Sequence, residues 1–195
     1  MSTIVDKRLR KEEDPTPQIA RRLRGERESR GWSLADLAAR SGVSKAMISK
    51  IEREEASPTA AILGRLSGAF QLTLATLLAR AESDDGRLVR AKDQPRWRDP
   101  ESRYVRRQIF SRPRSPLELV EVEFPAGKTV SFPASSYAFI RQLVWVTRGR
   151  LVIQEGGERH ELATGDCLEF GAPADSSFRN ESKTACRYVV ALVRQ

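Results

Sequence analysis

The stretch "LADLAARSGVSKAMISKIE" (34–52) leaves little conformational choice to this part of the chain. Apolar residues recur at three- and four-residue steps, the spacing of one helix face. Ser33 is placed to cap a first helix, which Gly42 closes after Ser41, and Ser44 caps a second that runs to about Arg53. Ala38 sits where the two helices cross closely, and a larger side chain would push them apart. Gly42, four residues on, supplies the positive φ that a sharp turn between helices requires. Leu34, Leu37, Ile48 and Ile51 face a shared core, which leaves Lys45, Ala46, Ser49 and Lys50 on the outward face of the second helix. Those outward residues are short, polar or basic, the kind that reaches base edges in a major groove. Each residue alone would suit any helical hairpin. The joint spacing Leu34-x3-Ala38-x3-Gly42-x5-Ile48-x2-Ile51 favours a DNA-reading pair of helices.

Around this pair the texture is helical from 18 to 80. Ile19 to Arg30 is basic and amphipathic and ends at Gly31; Pro58 and Thr59 open a helix reaching about Phe70; Thr73 caps a short one ending near Ala79. Five short helices are therefore expected, preceded by a charged arm over 1–17. Residues 81–115 are polar and turn-rich and read as a linker with one strand at "YVRRQIF". From 116 to 195 short alternating runs stand between Gly and Pro turns, as in "LELVEVEF", where Val120, Val122 and Phe124 share a face. This pattern predicts a sandwich or barrel. The expected architecture is α + β with two domains, a helical bundle followed by an all-β barrel.

Charge separates the two halves. Residues 1–80 carry 15 Lys and Arg against 10 Asp and Glu, residues 81–115 carry 10 against 6, and residues 116–195 carry 9 against 10. The excess of the first part suits a polyanion partner. No apolar run approaches the roughly 20 residues that span a bilayer, and the charged N-terminus is unlike a secretory signal. Cys167 and Cys186 form no disulfide framework. A cytoplasmic chain without membrane contact is expected.

With "SGVSKAMISKIE" and the "SPT" helix start in place, residues 18–80 resemble the Xre/Cro-like family of helix-turn-helix repressors. The resemblance implies that Ser44 to Arg53 is the recognition helix in the major groove of double-stranded DNA. Lys45 and Lys50 would donate to guanine acceptors, Ala46 would touch a thymine methyl, and Ser49 and Arg53 complete the DNA-facing set. Ser33 and Ser44, at helix N-termini, would hold phosphates. Family members usually have Gly after the "ER" pair where this chain has Glu54. That departure implies a differently shaped loop and puts an acid near phosphates.

Residues 117–194 resemble a cupin, a double-stranded β-helix barrel, through "FPAG" (124–127), "VWVTRGRLVI" (144–153), "ELATGDCLEF" (161–170) and "PADSSFRNES" (173–182). The metal-binding positions implied by that resemblance are Gln142, a pair at Ser135/Tyr137 or Ser136/Ala138, and Ser176. None is a strong ligand for a transition metal, so neither a metal site nor a cofactor is expected. His160 follows a "GGER" turn and is expected at the surface. Alternation places Gln142, Val144 and Val146 inward, and likewise Ser176, Phe178 and Asn180. Tyr137, Gln142, Ser176 and Phe178 are then candidate contacts for a small polar effector. Leu143 and Trp145 turn outward, where Trp145 is a candidate dimer contact or packs on the segment around Trp97. Cys167 is expected to turn away from the interior, and lone strand cysteines default to buried, inert thiols.

Together these features predict a sequence-specific regulator of transcription, a homodimer on a palindromic operator, with a metal-free barrel that binds an effector or dimerises. Two alternatives stand beside it: a DNA-binding protein whose barrel only dimerises, and a DNA-tethered enzyme. The enzyme needs a general acid and base inside the barrel, and no inward His, Asp or Glu is expected there.

Overall fold

Local capping chemistry sets the helices of the computed structural model, which describes residues 16–78, 88–112 and 115–194. The expected arm lies, but for its last two residues, outside the described residues, as do Ala79 and the start of the expected linker. Helices α1 (Thr16–Ser29), α2 (Leu34–Ser41), α3 (Lys45–Glu52), α4 (Ala60–Phe70) and α5 (Leu74–Leu78) form the first part. Ser33 caps α2 in a reciprocal box with Asp36, and Gly42 ends it at φ 66°. Ser44 caps α3 by accepting from the Met47 amide. Ile19, Leu23, Leu37, Ile48, Ile51, Leu63, Leu66 and Phe70 make the core of the bundle.

The end of α3 corrects the loop expectation at Glu54. Glu54 takes φ 64°, and its amide donates to the Ile51 carbonyl while the Glu55 amide donates to that of Lys50. These two bonds are the helix-closing pattern that a left-handed residue completes. The glycine-type turn is therefore kept, with a side chain placed where it is sterically disfavoured.

Ten strands follow: β1 (Arg96–Arg98), β2 (Val105–Phe110), β3 (Leu117–Phe124), β4 (Thr129–Phe132), β5 (Ile140–Arg148), β6 (Arg150–Glu155), β7 (Glu158–Ala163), β8 (Cys167–Glu169), β9 (Ser176–Arg179) and β10 (Cys186–Arg194). They form two antiparallel sheets, ordered β1-β2-β3-β10-β5-β8 and β4-β9-β6-β7. Val120, Val122, Phe124, Val144, Val146, Ile153, Phe178, Val190 and Leu192 fill the space between them.

The segment expected as a linker with one strand supplies two strands of the larger sheet, with Arg106 opposite Val122 and Gln108 opposite Val120. Its polar composition hides this. The inward positions of β2 are Arg106 and Gln108, both buried, so the alternation is present without the hydrophobicity that normally marks it. Trp97 is buried against Tyr104, whereas Trp145 remains 48% exposed.

Candidate nucleic-acid interface and barrel cavity

The α3 helix turns Ile48 and Ile51 into the core and leaves Lys45, Ala46 and Lys50 exposed, with Ser49 half-buried. No hydrogen bond or ion pair ties the Lys45 and Lys50 ammonium groups to any described side chain. Arg53 is engaged: its guanidinium donates to both Glu55 carboxylate oxygens at 2.8 and 2.9 Å and to Ser49 Oγ at 2.8 Å. Glu55 in turn is held below the usual carboxylate range by that bond. Ser33 is also engaged, donating to Asp36 Oδ2 at 2.7 Å while accepting from the Asp36 amide. Ser44 Oγ accepts from the Met47 amide at 3.2 Å. Of the seven residues expected at DNA, Lys45, Ala46 and Lys50 present uncommitted side chains. The other four already serve caps or local pairs.

What fixes the angle of α3 is an ion pair to α1. Arg27 Nε and Nη2 each donate to a Glu52 carboxylate oxygen at 2.8 Å, and the two side chains are only 12% and 8% exposed. The bidentate carboxylate raises the Arg27 pKa above its ordinary value, against burial.

Between the two sheets lies a cavity with a volume of about 80 Å3 for the centres of water molecules. One wall is the larger sheet, with Tyr104, Arg106, Val122, Gln142 and Tyr188; the other holds Val130, Phe132 and Phe178. Its roof comes from the helical bundle, through Gly64 and Ser67 of α4 and Thr73 and Leu74 at the start of α5. Tyr137, Gln142 and Phe178, expected as effector contacts, line this cavity. Ser176 is buried but does not line it; its hydroxyl donates to the Ala174 carbonyl at 3.1 Å. That corrects its expected role, because the short β9 backbone holds it between Phe132 and Glu155. Phe178 stacks between Phe170 and Tyr188. Burial raises the pKa of the Tyr137 hydroxyl, and the neighbouring Ser176 side chain opposes that rise.

The residues that sequence reasoning missed are Arg106 and the roof. Arg106 is 9% exposed and its Nε has no partner. Period-two alternation through Tyr104, Arg106 and Gln108 was a usable signal for it.

The bundle is docked on the barrel by specific bonds. The Ala60 amide, in the first turn of α4, donates to buried Asp99 Oδ1 at 2.7 Å. Ser136 Oγ donates to the Gly64 carbonyl at 3.0 Å. Glu118, fully buried, accepts from Thr73 and Thr76 hydroxyls at 2.8 and 3.0 Å. A Cβ at Gly68 would lie 2.9 Å from the Ser135 carbonyl oxygen, and one at Gly64 would lie 2.7 Å from the Phe132 ring. The loop that resembles a cupin's first ligand motif thus carries α4. Its Ser136 bonds the helix backbone.

Among the described residues no three His, Cys, Asp or Glu side chains gather as a metal site would need. His160 is half-buried on β7, 3.7 Å from the exposed Glu158. Cys186 is buried and its thiol is pushed up to about 11 by burial. Cys167, contrary to the default of a buried thiol, is exposed, because β8 is an edge strand. No described helix is long and apolar enough to cross a membrane.

Family models match each part: Helix-turn-helix over residues 23–77 and Cupin domain over 120–192. The chain is 30% identical over 156 residues to the HTH-type transcriptional regulator SutR of Escherichia coli K12, covering 79% of this chain and 82% of that one. An HTH_3 family transcriptional regulator from Vibrio cholerae has the same fold, with a TM-score of 0.76, 22% identity, and coverage of 92% of this chain and 97% of that one. The chain belongs to the HTH-type transcriptional regulators and is a DNA-binding regulator with a cupin domain.

Proposed function

We propose that a small molecule held in the barrel cavity controls how this regulator engages its operator. The observation that carries the reading is the shared roof. Gly64, Ser67, Thr73 and Leu74 belong to the DNA-binding bundle yet line the cavity of the barrel. α4 packs on α2, which packs on α3, so a ligand that shifts the roof also shifts the helix that faces DNA. Such control requires the ligand to bind the two arrangements unequally. Among the described residues, the lining holds no His, Asp or Glu to move a proton, which supports a receptor rather than an enzyme.

Lys45, Ala46 and Lys50 read bases in this proposal, and Ser33, Ser44, Ser49 and Arg53 border the backbone contacts. The outer face of the larger sheet, where Leu143 and Trp145 of β5 flank Ala191 and Val189 of β10, takes a second copy of the chain in a cytoplasmic homodimer. Two recognition helices then meet half-sites about one helical turn apart. Sedimentation of Trp145→Glu should show a monomer; an unchanged dimer removes this face from the proposal.

The deciding experiment is operator binding by fluorescence anisotropy, after genome-wide mapping of bound sites, across a panel of small metabolites. At least one compound should change the affinity about 5- to 150-fold, whereas equal affinity across the panel sinks the receptor reading. In the same assay Lys50→Ala should relax preference at one operator position by about 1–3 kcal/mol. An unchanged site profile would remove Lys50 as a base reader.

A further inference from the structure

We propose that the cavity takes a small monocarboxylate, its charged end paired with Arg106 and its apolar body held between the sheets. The proposal rests on the reading of the barrel as a receptor and names the chemistry of what it receives.

Among the described residues that line the cavity, Arg106 is the one cation. It is more than nine-tenths buried, and no hydrogen bond or ion pair joins its guanidinium to any described residue. Its neighbour on the opposite face of β2 shows the contrast: Arg107 donates to Glu121 Oε2 at 2.8 Å and to Gln94 at 3.0 Å. An arginine stays protonated even when buried, and a buried charge without a counter-charge is strongly disfavoured. The buried carboxylate that acts on it electrostatically is Glu118, whose two oxygens already accept from Thr73 and Thr76, with Arg194 Nε at 3.7 Å. Arg106 therefore presents an uncommitted planar fork to the cavity, the geometry that suits a carboxylate.

Register places possible helpers beside it. Arg106 pairs with Val122, and Val122 with Tyr188, across three adjacent strands, while Tyr104 lies two residues before it on the same face. Burial keeps both phenols protonated, so they are donors. With a single cation in an apolar enclosure, a second negative charge on the ligand would go uncompensated, which favours a monoanion over phosphate. The limited room, about 80 Å3 for the centres of water molecules, favours a short-chain ligand over a bulky one.

The test uses the full chain and calorimetry with butyrate, its neutral isostere butyramide, and inorganic phosphate. Butyrate should bind about tenfold to a hundredfold more tightly than butyramide, as a charge-assisted pair requires. That discrimination should vanish in Arg106→Met and be partly restored in Arg106→Lys, with thermal unfolding showing that both variants fold. The wild-type comparison stands even if a variant does not fold. Equal binding of butyrate and butyramide overturns the anion while leaving the receptor reading intact. Phosphate binding more tightly than butyrate overturns the monocarboxylate, and so does no butyrate binding up to about 10 mM. Butyrate that binds through Arg106 without altering operator affinity leaves the anion site standing and sinks the receptor reading.

Discussion

Arg27 and Arg106 are both largely buried arginines, one in the helical bundle and one in the barrel, and they are treated in opposite ways. Arg27 is closed on Glu52 by two bonds of 2.8 Å and fixes the helix that faces DNA. Arg106 makes no hydrogen bond or ion pair with any described residue, its Nε buried without a partner, and it lines a volume shared with the roof. A buried charge that is fully paired belongs to the scaffold; one left unpaired beside a cavity is available to a ligand. The bundle and barrel thus divide the work, one holding its shape and the other keeping a polar group unsatisfied.

The sharpest way to break this contrast is to remove both charges in turn. Arg27→Met leaves Glu52 buried without its partner and should cost about 3–5 kcal/mol, read as a fall in thermal midpoint. Arg106→Met, by contrast, should be neutral or stabilising without ligand, because it removes an uncompensated charge. Equal losses at both sites would mean that Arg106 is structural after all.

A smaller effect probes the seam between the regions. Ala is favoured over Gly within a helix by about 1 kcal/mol, so Gly68→Ala would strengthen α4 considered alone. The Ser135 carbonyl oxygen, 2.9 Å from the new Cβ, reverses the sign, since overpacking against backbone costs about 1–3 kcal/mol. Net destabilisation, with a larger radius of gyration in solution scattering, is expected. A more stable variant of unchanged size would show that the roof is not tightly seated.

The smallest expected effect lies in the bundle. Glu54 occupies a left-handed position, and Glu54→Gly should raise stability by about 0.5–1 kcal/mol in denaturant unfolding. No gain would mean that the Glu54 side chain offsets its backbone strain through a contact of its own.

Much of the molecule was legible before any coordinates, though unevenly. Ser33, Gly42 and Ser44 announced α2 and α3 because a cap or a left-handed turn needs only neighbours along the chain. Gln142, Val144 and Val146 were legible as inward because alternation is equally local. The β2 strand was legible at "YVRRQIF", but its place in the core sheet was hidden because Arg106 and Gln108 occupy positions where hydrophobic residues normally signal burial, and β1, three residues long, was not read at all. Ser176 was misassigned because its alignment with a ligand position fixed the strand face but not the extent of the cavity.

The sequence by itself determined the five helices, the inward faces of the later strands, and the outward basic face of α3, since helix caps and side-chain periods act over a few residues. Only the tertiary structure decided that Arg106 goes unpaired, that Glu118 is shared with Thr73 and Thr76, and that Gly64 and Gly68 seat α4 on the barrel. The contacts at Glu118 and Gly64 join segments 42 to 72 positions apart in the chain. Which segments meet is decided by the burial of whole faces, and no local pattern records it.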